Sequence, residues 1–170
     1  MINVVLQKVE SQLRESFPDA LIESSYFRGE LTVIVKKNAL IEILSHLKTS
    51  PDLRFGMLTD LTATDWPERS ERHEIVYLLY SLDSHTYVRI KIRAKEREKV
   101  PTLTGLWDIA NWLEREVYDM FGIEFQGHPD MTRILTPEGF DGYPLRKDFP
   151  LTYEVPQFSH NIEEPPEVIK

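Results

Sequence analysis

The chain has 170 residues, 41% of them hydrophobic and 28% charged, with a net charge of −8 and no cysteine. That length suits one domain with a real core, and the acidic balance argues against nucleic-acid phosphates and anionic lipid headgroups as partners. The lack of cysteine removes disulfides, thiol nucleophiles, Cys-ligated zinc and thiolate-held iron–sulfur clusters. The start, Met1-Ile2-Asn3-Val4-Val5, has neither the basic-then-apolar pattern of a signal peptide nor an Arg-rich presequence. No run of roughly 18 apolar residues is present, so any service to a membrane process is expected from a peripheral subunit.

Ile2, Val5, Leu6, Val9 and Leu13 recur at helical spacing, and Pro18-Asp19 ends that helix. Residues 20–27 and 31–35, joined through Arg28-Gly29-Glu30, read as a hairpin with glycine at its turn. Asn38 is placed to cap a second helix carrying Leu40, Ile41, Ile43, Leu44 and Leu47, broken at Ser50-Pro51-Asp52. Residues 55–62 and 74–82 read as strands, and the nearly continuous apolar run 75–80 predicts a strand covered on both faces. Asp83-Ser84 turns the chain into 85–93, where Val88, Ile90 and Ile92 face one way and Tyr87, Arg89, Lys91 and Arg93 the other. The expected fold is a two-layer α+β domain: a mixed or antiparallel sheet of about five strands with helices on one side.

Residues 106–121 predict a further helix with Ile109, Trp112, Leu113, Val117 and Met120 as its apolar positions and Gly122 as a left-handed stop. Periodicity fades beyond it. Of the 11 prolines, Pro129, Pro137, Pro144, Pro150, Pro156, Pro165 and Pro166 lie there, which forbids long helices and central strands. Phe140, Tyr143, Phe149, Tyr153 and Phe158 make this part too aromatic for a solvated tail. The chain is therefore divided into an α+β core over 1–123 and an extended Pro-rich arm over 124–170 that buries its aromatics against something else.

Three constellations could carry chemistry. Glu114, Glu116 and Asp119 lie on one helix, with Glu116 and Asp119 at a spacing that shares a face. They read either as a metal or acid/base site or, preferably, as acids paired with cations, with Arg146 and Lys147 as candidates. His128, beside Pro129, can be a ligand or base, or it can fix a turn by hydrogen bonding; no second histidine stands at ligand spacing, which favours the turn. Arg146-Lys147-Asp148, held between Pro144 and Pro150, could grip a carboxylate or phosphate. Without a Gly-rich loop a nucleotide site is disfavoured. Trp66, Trp107 and Trp112 read as core or interface anchors rather than base-stacking platforms.

The run Glu114-Arg115-Glu116-Val117-Tyr118-Asp119-Met120-Phe121-Gly122-Ile123, with Phe125, Gly127-His128-Pro129-Asp130, Arg133-Ile134-Leu135, Gly139-Phe140, Gly142 and Pro144-Leu145-Arg146-Lys147-Asp148-Phe149-Pro150-Leu151, resembles the signature of the 30 kDa subunit family, the C subunit of the NADH:quinone oxidoreductases of respiratory complex I. The upstream stretch 58–65 is similar to the family's strand before its hairpin. The resemblance implies a structural and assembly subunit with no catalytic residue, metal or cofactor of its own, FMN and iron–sulfur clusters being held by partners. It implies packing against the large quinone-site subunit, with the arm wrapped over it, and proximity to the small iron–sulfur subunits. The implied location is peripheral, on the cytoplasmic side of a bacterial inner membrane. Partner-interface residues implied are Glu114, Arg115, Glu116, Asp119, Gly122, Gly127, His128, Pro129, Arg133, Phe140, Gly142, Pro144, Arg146, Lys147, Asp148 and Phe149. Thr132 departs from the family, where a basic residue is common, so one charge contact is expected to be missing. The related alternative is the matching subunit of an energy-converting hydrogenase or a deazaflavin-dependent dehydrogenase. A remote one is a free-standing metal-dependent hydrolase using Glu116, Asp119 and His128.

Overall fold

The computed structural model describes residues 4–151. Helix α1 (Val4–Ser16) is followed by the hairpin β1 (Leu21–Phe27) and β2 (Glu30–Val35), then helix α2 (Leu40–Thr49). Strands β3 (Met57–Asp65), β4 (His73–Ser81) and β5 (Thr86–Ala94) complete a five-stranded sheet of order β1-β2-β5-β4-β3. It is mixed: β2 and β5 are parallel, and the remaining pairs are antiparallel. Two short strands, β6 (Val100–Pro101) and β7 (Phe125–Gln126), pair in parallel on either side of helix α3 (Ala110–Phe121).

Alternation of side chains along each strand builds one apolar face. Cross-strand register stacks Leu31 and Val33 of β2 beside Val88 and Ile90 of β5, and these beside Leu79 and Tyr77 of β4. Leu6, Val9 and Leu13 of α1, and Leu40, Ile43, Leu44 and Leu47 of α2, join the same buried cluster. Each such side chain contributes about 1.5–3 kcal/mol through burial, which is why the helices lie on this face. The α+β two-layer expectation matches this architecture. Ile2, the first apolar position expected in α1, lies outside the described residues, as does the arm beyond 151.

Four local expectations need correction. Asn38 does not cap α2; it sits inside a short 3-10 turn, Lys37–Ala39, and Ala39 precedes the helix with no side-chain cap. In β4, Ile75, Tyr77 and Leu79 are fully buried while Val76, Leu78 and Tyr80 are only half covered. Their cross-strand neighbours on that face are Lys91, Arg89 and Tyr87, the Tyr87 ring lying 4.5 Å from that of Tyr80, so polar stems and a second tyrosine stand there in place of an apolar second layer. The third strand runs over Met57–Asp65 rather than 55–62, and a bulge between Leu58 and Asp60 keeps both Leu58 and Leu61 inward. That shift carries the parity of the buried face on to Ala63 and Asp65. Finally, α3 begins at Ala110, and its buried stripe is Ala110, Glu114, Val117 and Phe121; Ile109 and Trp112 are 47% and 58% exposed. Apolarity alone mistook the rotation of this helix, since a carboxylate, Glu114, occupies the core position one turn after Ala110.

Candidate functional site

Helix α3 ends at Gly122, whose φ of 73° is left-handed and whose N–H bonds the carbonyl of Tyr118. A side chain there would strike Tyr143, since a Cβ would stand 2.5 Å from the Tyr143 ring. Glycine is thus required twice over, by backbone and by contact. The chain continues through Ile123 and Phe125 without leaving the core cluster and then folds back over α3.

Asp119 is the seat of that return. One carboxylate oxygen accepts the N–H groups of Ile134, Leu135 and Thr136 at 3.0, 2.7 and 2.9 Å, and the other accepts the Thr136 hydroxyl at 2.5 Å. Burial by itself raises the Asp119 pKa, but the Thr136 hydroxyl and the three N–H groups outweigh it and hold the carboxyl below its ordinary value. Arg133 completes the knot, reaching Asp119 at 3.4 Å, Thr136 at 3.2 Å and the carbonyl of Gly142 at 3.0 Å. Arg115 grips the same loop, donating to the carbonyl and hydroxyl of Thr132 at 2.9 and 2.6 Å while lying over Trp112. Where a basic residue at 132 would repel Arg115, threonine accepts from it.

Glu114 points the other way, into the core, with no exposed surface. Its oxygens accept the Thr102 hydroxyl and the Leu103 N–H, each at 2.6 Å. Among the described residues no Lys or Arg is bonded to it, and burial pushes its pKa up to about 7 against these two donors. His128 Nε2 stands 4.0 Å away but is spent on the carbonyl of Asn111 at 3.1 Å. His128 Nδ1 accepts the Asp130 N–H at 3.0 Å, so the ring proton sits on Nε2 and the histidine fastens the Gly127-His128-Pro129-Asp130 turn to α3. Gly127, at φ 87°, supplies the left-handed step into that turn.

A second seat lies on the sheet. Asp65, carried inward by the β3 bulge, accepts both arms of Arg72 at 2.6 and 2.8 Å and the Lys147 backbone N–H at 2.8 Å. The Arg72 hydrogen bonds hold the Asp65 pKa below its ordinary value. Arg72 also reaches Asp148 at 2.9 Å. Arg146 donates to the carbonyl of Phe121 at 2.5 Å and meets Glu96 at 3.3 Å, and its guanidinium and that of Arg133 lie 4.7 and 5.0 Å from the centre of the Tyr143 ring. Phe140 stacks on Phe149, 5.8 Å between ring centres, above Gly142, whose φ of 94° and close approach to Phe149 admit no side chain. Pro144 stands in the turn joining these two seats.

The expected pairing of Glu114, Glu116 and Asp119 with Arg146 and Lys147 is therefore not what forms. Glu114 takes neutral donors, Asp119 takes the arm backbone and Arg133, and Glu116 is exposed. The physical reason is rotation: Glu114 lies in the core stripe, Asp119 at the helix flank under the returning chain, and Glu116 on the solvent side. For the same reason Glu116, Asp119 and His128 do not converge on one centre; Asp119 and His128 are each enclosed by a separate donor set. Asp65, Arg72, Glu96, Thr102 and Thr136 were not singled out from the sequence. Only Asp65 carried a signal, an acid at the buried parity of Leu61 and Ala63, which demands a hidden partner.

The family described as respiratory-chain NADH dehydrogenase, 30 kDa subunit, matches residues 33–155. The corresponding NADH-quinone oxidoreductase subunit of Dinoroseobacter shibae is 42% identical over 151 residues, covering 89% of this chain and 70% of that protein. The mitochondrial NADH-ubiquinone oxidoreductase 30.4 kDa subunit of Neurospora crassa is 44% identical, covering 86% of this chain and 52% of its own length. Among solved structures, a trypsin-resistant fragment of Nqo5 superposes with a TM-score of 0.65 at 32% identity, covering 75% of this chain and 99% of the fragment. A chain of the membrane-bound sulfane sulfur reductase, an archaeal respiratory membrane complex, gives 0.71 at 29% identity, covering 85% of each. A family match over most of the chain, joined to a signature segment whose side chains knit helix α3 to the returning arm, places this chain in the 30 kDa subunit family of respiratory-chain NADH dehydrogenase.

Proposed function

We propose that the chain is the C subunit of a proton-translocating NADH:quinone oxidoreductase and acts as a brace rather than as a redox or catalytic centre. The observation that carries this is the inward use of its polar residues. Glu114, Asp119, His128, Arg133 and Arg146 spend their hydrogen bonds on the chain's own backbone and side chains. Among the described residues no group of three or more His, Asp or Glu is placed to hold a metal, and no helix is long and apolar enough to cross a membrane. In this reading FMN and iron–sulfur clusters belong to partner subunits. The arm packs on the large quinone-site subunit, near the small iron–sulfur subunits, on the cytoplasmic side of the inner membrane.

The likeness to an archaeal sulfane sulfur reductase chain shows that this fold also serves other respiratory membrane complexes. The matching subunit of an energy-converting hydrogenase or a deazaflavin-dependent dehydrogenase is the second reading. Identity of 42% to a bacterial NADH-quinone oxidoreductase subunit, against 29% to the archaeal chain, favours the NADH enzyme. Affinity purification of the tagged chain from its native membranes tests the choice. NADH- and FMN-binding subunits with the quinone-site subunit are expected; nickel–iron hydrogenase subunits, or no partner at all, would overturn the reading.

A further inference from the structure

Between the end of β3, the turn that follows it and the returning arm lies an open hollow of about 580 Å³. Its floor and walls are apolar: Ala63 and Phe121 below, Trp66 on one side and Leu145 on the other. Trp66 and Leu145 keep 41% and 53% of their surface exposed, so neither wall closes over the hollow. Each lip carries one charge. Glu68 stands on the turn side and Lys147 on the arm side, and neither side chain is engaged by any described residue. The neighbouring charges are spent: Asp65 on Arg72 and the Lys147 N–H, Asp148 on Arg72, and Arg69 over Trp66 and against Glu74.

We propose that this hollow is a socket for one apolar side chain of an extended segment of a partner subunit, a segment carrying a carboxylate on the Lys147 side and a cation on the Glu68 side. The proposal rests on the assembly reading above and names the chemistry of one contact within it. Burying Trp66, Leu145 and an incoming aliphatic or aromatic side chain supplies the anchor, as buried aromatic pockets do at interface centres. The two lip charges fix the direction in which the segment lies and reject a segment of opposite polarity. Because both lip side chains are exposed and unpaired among the described residues, changing them leaves the fold in place.

The test uses the tagged full chain in its native complex, with a photo-crosslinking phenylalanine analogue at Pro67, which lines the hollow. The expected product is a cross-link to one partner subunit, on a peptide with an apolar residue flanked by an acid and a base. Lys147→Glu and Glu68→Lys should each lower its yield about fivefold, the scale of one lip charge. A cross-link to residues 152–170 of this chain, to lipid, or to nothing overturns the socket, as does a yield unchanged by both reversals. If the tagged wild type retrieves the complex but the cross-link maps elsewhere, only the socket falls. If it retrieves no complex, the assembly reading itself falls.

Discussion

Glu114→Gln tests a carboxyl that the core encloses with neutral donors. The carboxyl sits near pKa 7 in the fold against 4.5 as its ordinary value. A raised acid favours the fold only while it is protonated. As pH climbs past 4.5 the unfolded chain releases this proton first, so stability declines until the folded carboxyl has also ionised near 7, and is flat beyond. Two and a half units correspond to about 3 kcal/mol over that window. Glutamine is isosteric: its carbonyl can accept the Leu103 N–H, and its amide can donate to Thr102, whose hydroxyl then turns to Thr104, 3.0 Å away. Urea unfolding of wild type and variant between pH 5 and 8.5 should therefore show a stability difference that grows in favour of glutamine by about 2–3 kcal/mol, all other titrations cancelling between the two chains. Parallel stability–pH curves would refute the reasoning and mean that Glu114 stays ionised, or gains water, within the fold.

Removing the acceptor at the helix flank should be costlier and should act locally. Asp119→Ala leaves the N–H groups of Ile134, Leu135 and Thr136 without their acceptor, a loss of about 3 kcal/mol or more, read by urea unfolding and by faster amide exchange at 134–136. Arg72→Met strands the buried Asp65 carboxylate and should cost about 3–5 kcal/mol, with earlier tryptic cleavage after Arg146 and Lys147 as the arm loses its Asp148 tie. Gly122→Ala combines a left-handed φ with a collision against Tyr143 and should lose about 1–2 kcal/mol, with a changed near-ultraviolet signal from the Tyr118–Tyr143 pair as its local mark.

Why the fold was legible and the site was not follows from the physics of each. The sheet announces itself through side-chain parity: Val88, Ile90 and Ile92 are buried and Tyr87, Arg89, Lys91 and Arg93 are not, because strand geometry is periodic in sequence. The bulge at Leu58/Asp60 breaks that period within β3. Helix α3 misled for a different reason. Its exposed Trp112 and buried Glu114 invert the usual relation of polarity to burial, and no local rule predicts that a carboxylate will meet Thr102 and Leu103, residues before the helix, in the core. Asp119 and the loop 134–136, like Asp65 and Lys147, are joined across 15 to 82 residues of chain; such pairs carry charge signals but no spacing signal.

Those long-range pairs also separate the two meanings a signature can have. The acids and bases of 114–151 look reactive in sequence because they are charged and clustered. In the fold several of them close a specific gap: Asp119 satisfies three backbone donors and Arg146 a helix carbonyl, while Asp65 on the sheet takes the N–H of Lys147. A side chain committed in this way holds the chain's own geometry, and its replacement is felt as lost geometry. Under the proposed bracing role, what it presents to a partner is position: Trp66, Leu145 and the lip charges Glu68 and Lys147 stand on segments that Asp65 and Arg72 tie together. A variant that breaks that tie, Arg72→Met, should consequently weaken partner retention even though Arg72 is only 11% exposed and offers almost no surface of its own. Retention equal to wild type in a chain whose arm has become protease-sensitive would mean that the partner, and not the core, holds the arm in place.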